Sequence, residues 1–367
     1  MLRFVFIAIL LLHGLIHLLG FVKGFKLAEV SQLMMPISKA RGILWMLSFL
    51  LLLTAAALFA GRNNWWWVFG IAGAVLSQVL IFGTWQDAKF GTIANLIVLL
   101  VGIKSFALWR FDGMVQTEVK QMFQAATVAD TGIVTVENIA HLPPAVQKWL
   151  TQSGVVGKEK CTAVRLRQKV EMKMKPEQTD WVKAEAQQYF TLNEPSFVWQ
   201  VSIQMMRFME VVGRDKFMDG KGQMLIKPFG LVSIVNAADG KIDQGTLQRY
   251  LAEIVWFPSA ALSSYITWEA IDSVSAKATM SYKGTTGSGI FYFDPEGQFD
   301  KFVTQRYMGS GAEAVLHDWV ITTQETRNLN GIKIPVKLEV TWKLEEGDFN
   351  WLKLEITEIE YNNPHLY

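Results

Sequence analysis

The sequence predicts two architectures in one chain of 367 residues. A multi-pass α-helical membrane domain of four spans comes first. A mainly-β domain follows, a curved antiparallel sheet or half-barrel with one helix across its concave face. Three observations carry this reading. Apolar runs of about 20 residues crowd the first 111 positions, each enough to cross ~30 Å of hydrocarbon as a helix. Beyond Gly157 apolar side chains recur at every second position, the period of a strand with one buried face. Charge divides likewise: residues 1–111 hold nine Lys/Arg and two acids, leaving 26 Lys/Arg and 31 Asp/Glu for residues 112–367. The boundaries that follow are a four-helix transmembrane domain at 1–111, a linker at 112–140, the β domain at 141–361 and a tail at 362–367. A hydrophobic fraction of 51% with 19% charged residues excludes a disordered chain. No concentrated basic face exists for phosphates, which argues against nucleic acid as a partner.

The apolar runs are 2–21, 42–60, 65–83 and 92–111. A helix satisfies its own backbone in hydrocarbon, so each reads as a span. The first is too long and continuous for a cleaved leader, no small-x-small site follows it, and it reads as retained. Lys23, Lys26, Lys39 and Arg41 lie in the first connection and Lys89 in the third, whereas Arg3, Arg62 and Arg110 fall on the other side. The positive-inside rule places the first and third connections in the cytoplasm, so the chain leaves the bilayer on its outer face. Trp65, Trp66 and Trp67 sit at that outer boundary, as interfacial aromatics do. The expected location is the cytoplasmic (inner) membrane, with the lipid bilayer as partner and the C-terminal domain extracytoplasmic. His13 and His17 share one face of the first helix. They could be metal or haem ligands, a proton relay, or imidazoles bonded to carbonyls or to Ser77 and Gln78 of a neighbouring span. No second ligand pair appears in the other runs, which favours the last.

After the spans, 115–126 can continue as a short helix and 128–133 breaks the pattern. Pro144 and Gly154 bracket a helix of about two turns burying Val146, Trp149 and Leu150. Strand alternation then begins with Val164, Leu166, Val170, Met172 and Met174, where only Gln168 interrupts the apolar face. It returns in Phe197, Trp199, Val201, Ile203 and Met205, and again in Val336, Leu338, Val340, Trp342 and Leu344. Asp219-Gly220, Asp294-Pro-Glu-Gly297, Asn330-Gly331 and Glu346-Gly347 supply turns between such runs. Short turns pair strands antiparallel, and the expectation is a meander of about nine to eleven strands. A helix at about 244–256, with Asp243 as its N-cap, buries Leu247, Tyr250, Leu251, Ile254 and Val255 before Pro258.

No strong catalytic motif is present. His317-Asp318 would point to opposite faces of a strand, so Asp318 could not orient His317. The lone Cys161 cannot close an intrachain disulfide. The Gly-rich 283–289 stretch runs straight into 290–293 and reads as a strand connection. Arg249 and Glu253, four apart on the helix, are either an ordinary helix ion pair or polar contacts for a head group, with Asp215 and Asp243 as further carboxylates. Trp199, Met205, Tyr250, Trp256 and Phe257 are the candidate contacts for an apolar ligand, because Trp and Met make adaptable linings; the alternative is that they fill the core. No catalytic residue, metal or cofactor is assigned.

The stretches Leu142-Pro-Pro-Ala-Val-Gln-Lys-Trp-Leu150, Gly213-Arg-Asp-Lys-Phe-Met-Asp-Gly220, Ile242-Asp-Gln-Gly-Thr-Leu-Gln-Arg-Tyr-Leu-Ala-Glu-Ile-Val-Trp-Phe-Pro-Ser259 and Glu346-Gly-Asp-Phe349 resemble an uncharacterised bacterial family. That family is a domain of unknown function often preceded by membrane spans, and it implies no activity. The element order also resembles the LolA/LolB lipoprotein-carrier architecture, although four spans would prevent this chain from diffusing. The leading expectation is an extracytoplasmic binding protein for an apolar ligand: a lipid, an acyl chain or a lipoprotein tail. The alternatives are a structural or assembly module of the cell envelope, and an enzyme on a membrane-proximal substrate acting through Glu253 or Asp215. The sequence sets no oligomeric state.

Overall fold

Among the described residues four helices are long and apolar enough to cross a membrane: α1 (Leu2–Gly24), α2 (Lys39–Ala60), α3 (Trp66–Gly83) and α5 (Gly91–Ala125). A single turn, α4 (Trp85–Ala88), precedes the last. The computed structural model describes residues 1–126, 132–206 and 209–367, and Met1–Asp112 forms one unit and Gly113–Tyr367 another. In the first unit Leu12, Ile16, Ile43, Val79 and Phe82 face outward, which suits hydrocarbon rather than water. Small residues bring α1 and α2 together: a Cβ on Gly24 would lie 3.0 Å from Gly42 Cα.

The continuation of helix through 115–126 is found to Ala125, as part of one unbroken α5, because Gly113 alone costs a helix only about 1 kcal/mol. In the second unit Glu118 ties its last turns to the sheet, bonding Arg214 Nε at 3.0 Å and Lys216 Nζ at 2.7 Å. The expected break at 128–133 falls mostly outside the described residues. From Ile133 the chain belongs to the β domain, where Val134 N donates to Lys158 O at 2.8 Å.

After the short helices α6 (Val136–Ile139) and α7 (Pro144–Gln152), the strands are β1 (Ala163–Met172), β2 (Val182–Thr191), β3 (Ser196–Met206), β4 (Met209–Met218), β5 (Lys221–Pro228) and β6 (Val235–Ala237). Then come α8 (Gly240–Glu253), two 3-10 turns (Ile254–Trp256 and Pro258–Leu262), β7 (Ile266–Ala270), β8 (Ser275–Tyr282), β9 (Thr285–Phe293), β10 (Phe299–Met308), β11 (Val315–Leu329), β12 (Ile332–Leu344) and β13 (Gly347–Tyr361). They form one antiparallel sheet of 13 strands in the order β6-β5-β4-β3-β2-β1-β13-β12-β11-β10-β9-β8-β7. Two more strands occur than the upper expectation of eleven. β6 is only three residues long and β7 buries only Ile266, so neither shows a strand's alternation. His317 and Asp318 lie on β11, opposite Arg306 and Gln305, and point to different faces as expected.

The first and last strands, β1 and β13, pair at the centre, so the two halves of the chain become two arms. α8 joins the free edges of those arms, β6 and β7. It packs on β4 and β5 of one arm and on β8, β9 and β10 of the other. Strands so far apart in the sheet can share one helix only if the sheet curls around it. The arms also meet directly. Lys283 Nζ bonds Asp219 Oδ1 at 2.7 Å, and Thr285 Oγ1 donates to Gly220 O at 2.7 Å. Asp219 and Gly220 both have positive φ, +53° and +74°, the turn that matches strand twist.

Two glycines seat the helix. A Cβ on Gly222 of β5 would lie 2.6 Å from Ile242 O, and one on Gly287 of β9 would lie 2.7 Å from Gln248 Cγ. The helix begins earlier than the sequence reading. Asp239, not Asp243, is the N-cap, accepting from Lys241 N and Ile242 N at 2.8 and 2.9 Å. Asp243 lies in the first turn and accepts from Gly222 N at 2.7 Å, so it clamps the helix to β5.

Two outcomes follow. Gly222→Val drives a side chain into the α8 backbone and is expected to destabilise the β domain by about 1–3 kcal/mol, read as a lowered thermal midpoint by near-UV circular dichroism of the full chain. Gly240→Ala, where nothing lies within 4 Å of the added carbon, is its neutral control. Cys161 is buried, with its N–H donating to Ser259 Oγ at 3.0 Å, and burial pushes the thiol up to about 12. An alkylating reagent at pH 8 is therefore expected to spare it in the native protein and modify it fully in denaturant.

Candidate functional site

In the first unit both His13 and His17 are buried. His13 Nε2 lies 2.7 Å from Asn95 Oδ1, and Asn95 Nδ2 donates to Ser77 Oγ and Gln78 Oε1 at 2.9 and 3.0 Å. An amide oxygen only accepts, so His13 Nε2 is the donor. His17 Nδ1 donates to His13 O at 2.7 Å. The two imidazoles are thus tied to a carbonyl and, through Asn95, to the Ser77 and Gln78 pair. Among the described residues no three His, Cys, Asp or Glu side chains gather as metal ligands.

In an antiparallel sheet every second turn falls at the same end. The β3–β4 and β1–β2 connections therefore share one end, and methionine concentrates there, while the β10–β11 loop is bonded to the start of α8 through Asp239 and Lys241. Met172 closes β1 and Met174 follows it; Met205 and Met206 end β3, Met209 starts β4 and Met308 ends β10. Met174, Met205 and Met206 are exposed, while Met209 and Met308 are half-buried against the core. The other end is filled. Tyr250 OH donates to Thr191 O at 2.9 Å and Trp256 Nε1 to Pro335 O at 3.1 Å. Phe257 packs on Phe190 with ring centroids 4.8 Å apart.

Between these ends a hydrogen-bonded chain crosses the inner face. Trp199 Nε1 donates to Gln168 Oε1 at 2.9 Å, and Gln168 Nε2 to Gln188 Oε1 at 3.4 Å. Gln188 Nε2 donates to Glu253 Oε2 at 2.7 Å. Arg249 completes the chain, with Nε to Glu253 Oε1 and Nη1 to Asp215 Oδ2, both at 2.9 Å. Its guanidinium lies 4.8 Å from the centre of the Trp199 ring. Burial holds the Glu253 carboxyl above its ordinary value, against the pull of Arg249 and Gln188. A second guanidinium, Arg306 of β10, lies 4.5 Å from the Trp319 ring and 5.9 Å from the Trp342 ring. Gly245 of α8 leaves room for it, since a Cβ there would be 3.0 Å from Arg306 Nε. That Nε is buried without a hydrogen-bond partner, and among the described residues Arg306 makes no ion pair. Burial, then the like charge of Arg249, lowers the Arg306 pKa to about 10, so it stays cationic at neutral pH.

The structure thus brings Trp199, Arg249 and Glu253 together. Tyr250, Trp256 and Phe257 are enclosed at the filled end, where a ligand meets them only if α8 moves. Met205 stands apart, exposed at the end of β3. Sequence reasoning missed Gln188 and Arg306. Gln168 was visible as the one polar residue on an apolar face; Gln188 lies in a run with weak alternation, and Arg306 looks like any surface strand residue. The outer face has a trough of about 890 Å³ lined by residues such as Lys169, Glu171, Lys183, Lys337, Glu339 and Lys353. Opposite charges alternate across it, with Lys353–Glu339 at 3.2 Å and Lys183–Glu171 at 3.6 Å, the pattern of a solvated face whose pairs each contribute little.

Comparison with known proteins adds a family and a loose structural similarity. Residues 132–354 match the profile of a family of unknown function, DUF6544. No curated protein matches in sequence. Among solved structures, a LolA superfamily protein from Nitrosomonas europaea is similar at 11% identity, covering 63% of this chain and 94% of that one. Its TM-score of 0.33 is too low to carry an argument about this chain.

Removing Arg249 strands two carboxylates. Arg249→Met is expected to destabilise the β domain by about 3 kcal/mol at pH 7.5. A carboxyl whose folded-state pKa is raised costs stability above that pKa and loses the cost as pH falls through the unfolded value. The variant's deficit should therefore shrink on acidification toward pH 5, which thermal midpoints across that range measure.

Proposed function

The chain belongs to the DUF6544 family of unknown function, and from its geometry we propose that it is a membrane-anchored binding protein for an apolar ligand: a lipid, an acyl chain or a lipoprotein tail. The observation that carries this is the cluster of partly exposed methionines at one end of the curled sheet. Five methionines gather at the neighbouring β1–β2 and β3–β4 connections and a sixth, Met308, ends β10, and their unbranched thioethers repack around apolar guests of varied shape. Trp199 and Met205 would contact the ligand, Arg249 and Glu253 would be its polar neighbours, and Tyr250, Trp256 and Phe257 would be reached only by a ligand that displaces α8. The anchor is the set of four helices long and apolar enough to cross a membrane. Lys/Arg placement supports insertion in the cytoplasmic membrane with the β domain on the outer side.

A second reading, an assembly module for another envelope protein, is supported by the exposed Leu231, Val232 and Ile234 beside edge strand β6.

Mass spectrometry of organic extracts from gently purified full-length protein tests the proposal. The expected result is reproducible lipid at near-stoichiometric amounts, reduced when Met205 and Met209 are both changed to Asp. Lipid that is absent, or equally abundant in the double variant, counts against it.

A further inference from the structure

Arg306 is a half-buried cation to which the described residues bring no hydrogen-bonded counter-charge. A guanidinium carries five N–H donors and a permanent charge at neutral pH. Among the described residues this one donates no hydrogen bond and meets no carboxylate; the faces of Trp319 and Trp342 and the backbone of α8 at Gly245 lie beside it. The side chain is half-buried, and its enclosed Nε leaves one donor unpaired, which is costly unless a partner arrives. The nearest carboxylates, Asp215 and Glu253, are already held by Arg249 at 2.9 Å each. The two arginines repel each other and the two acids serve only one of them. Arg306 also lies two residues before Met308 on one strand, so both side chains point into the curl at the methionine-rich end.

Resting on the apolar-ligand reading above, we propose that Arg306, with Arg249 behind it, is the subsite for an oxyanion head group, carboxylate or phosphate, of an amphiphile whose chain lies along the methionines. Both anions accept the parallel N–H pair of a guanidinium, and Trp319 holds the plane of the fork while α8 yields space at Gly245. The ligand's charge supplies the partner that the fold leaves out.

Isothermal titration of the full chain in a non-ionic detergent with dodecanoic acid, dodecyl phosphate and dodecanol tests this. At least one of the two anions is expected to bind about tenfold or more tightly than dodecanol, as a charge-assisted hydrogen bond implies. Which anion is preferred identifies the source of the head group. Arg306→Gln should bring the anions to the level of dodecanol and leave dodecanol unchanged, and Arg306→Lys should keep part of the preference. Should Arg306→Gln fail to fold, the wild-type comparison still decides. Equal affinity of wild type for all three would overturn the subsite and leave the apolar-ligand reading standing. Binding of none of the three would remove both.

Discussion

The β domain depends on one contact: α8 lying directly on the backbone of two strands from opposite arms of the sheet. Gly222 of β5 and Gly287 of β9 give up their side chains so that the helix can approach each arm. An open antiparallel sheet of 13 strands accumulates twist and must curl, split or flatten. Here it curls, because its two edges are joined by a helix that both arms bury. Asp243 of the first turn, clamped to Gly222 N, and the enclosed Tyr250 and Phe257 farther along make α8 a cross-brace rather than a lid resting on a finished barrel.

That brace also sets the electrostatics of the inner face. Arg249 and Glu253 are four apart on α8, a spacing that on an exposed helix contributes a few tenths of a kcal/mol. Enclosed by the sheet, the same pair becomes part of a hydrogen-bonded chain through Asp215, Gln188, Gln168 and Trp199, where every member constrains the next. A buried acid, Glu253, and a half-buried one, Asp215, share one arginine there. Arg306 is the remainder, and its position against Trp319 explains how a cation is tolerated inside an aromatic lining without explaining why it is kept. On the proposed reading a ligand bearing the complementary charge would give that reason, and the methionines would receive its apolar chain.

Much of this was legible in the residues. Alternation in β1, β3 and β12 and the turns at Asp219-Gly220 and Asn330-Gly331 announce an antiparallel meander, because burying one face of a strand leaves a period of two in the side chains. Arg249 and Glu253 could be chosen because a helix brings residues four apart together. What failed to show had physical reasons. The start of α8 was misplaced because Asp239 and Asp243 are both good caps, and only the contact with Gly222 assigns the second to another task. β6 is too short to have a period. Arg306 was invisible because its meaning lies in what it does not touch, and a sequence records no missing partner. The Ser77 contact with the His13 cluster was readable from polar residues in apolar runs, whereas Asn95, its direct partner, was overlooked.

The cross-brace role of α8 is tested most directly by hydrogen–deuterium exchange on the full chain in lipid nanodiscs. If the two arms are held by the helix, backbone amides of α8 exchange in the same slow class as those of the central strands β1 and β13, all opening in one cooperative unit. Exchange in α8 that is orders of magnitude faster than in β1 and β13, with β5 and β9 still protected, would mean that the sheet keeps its curl without the helix, and the account would be wrong.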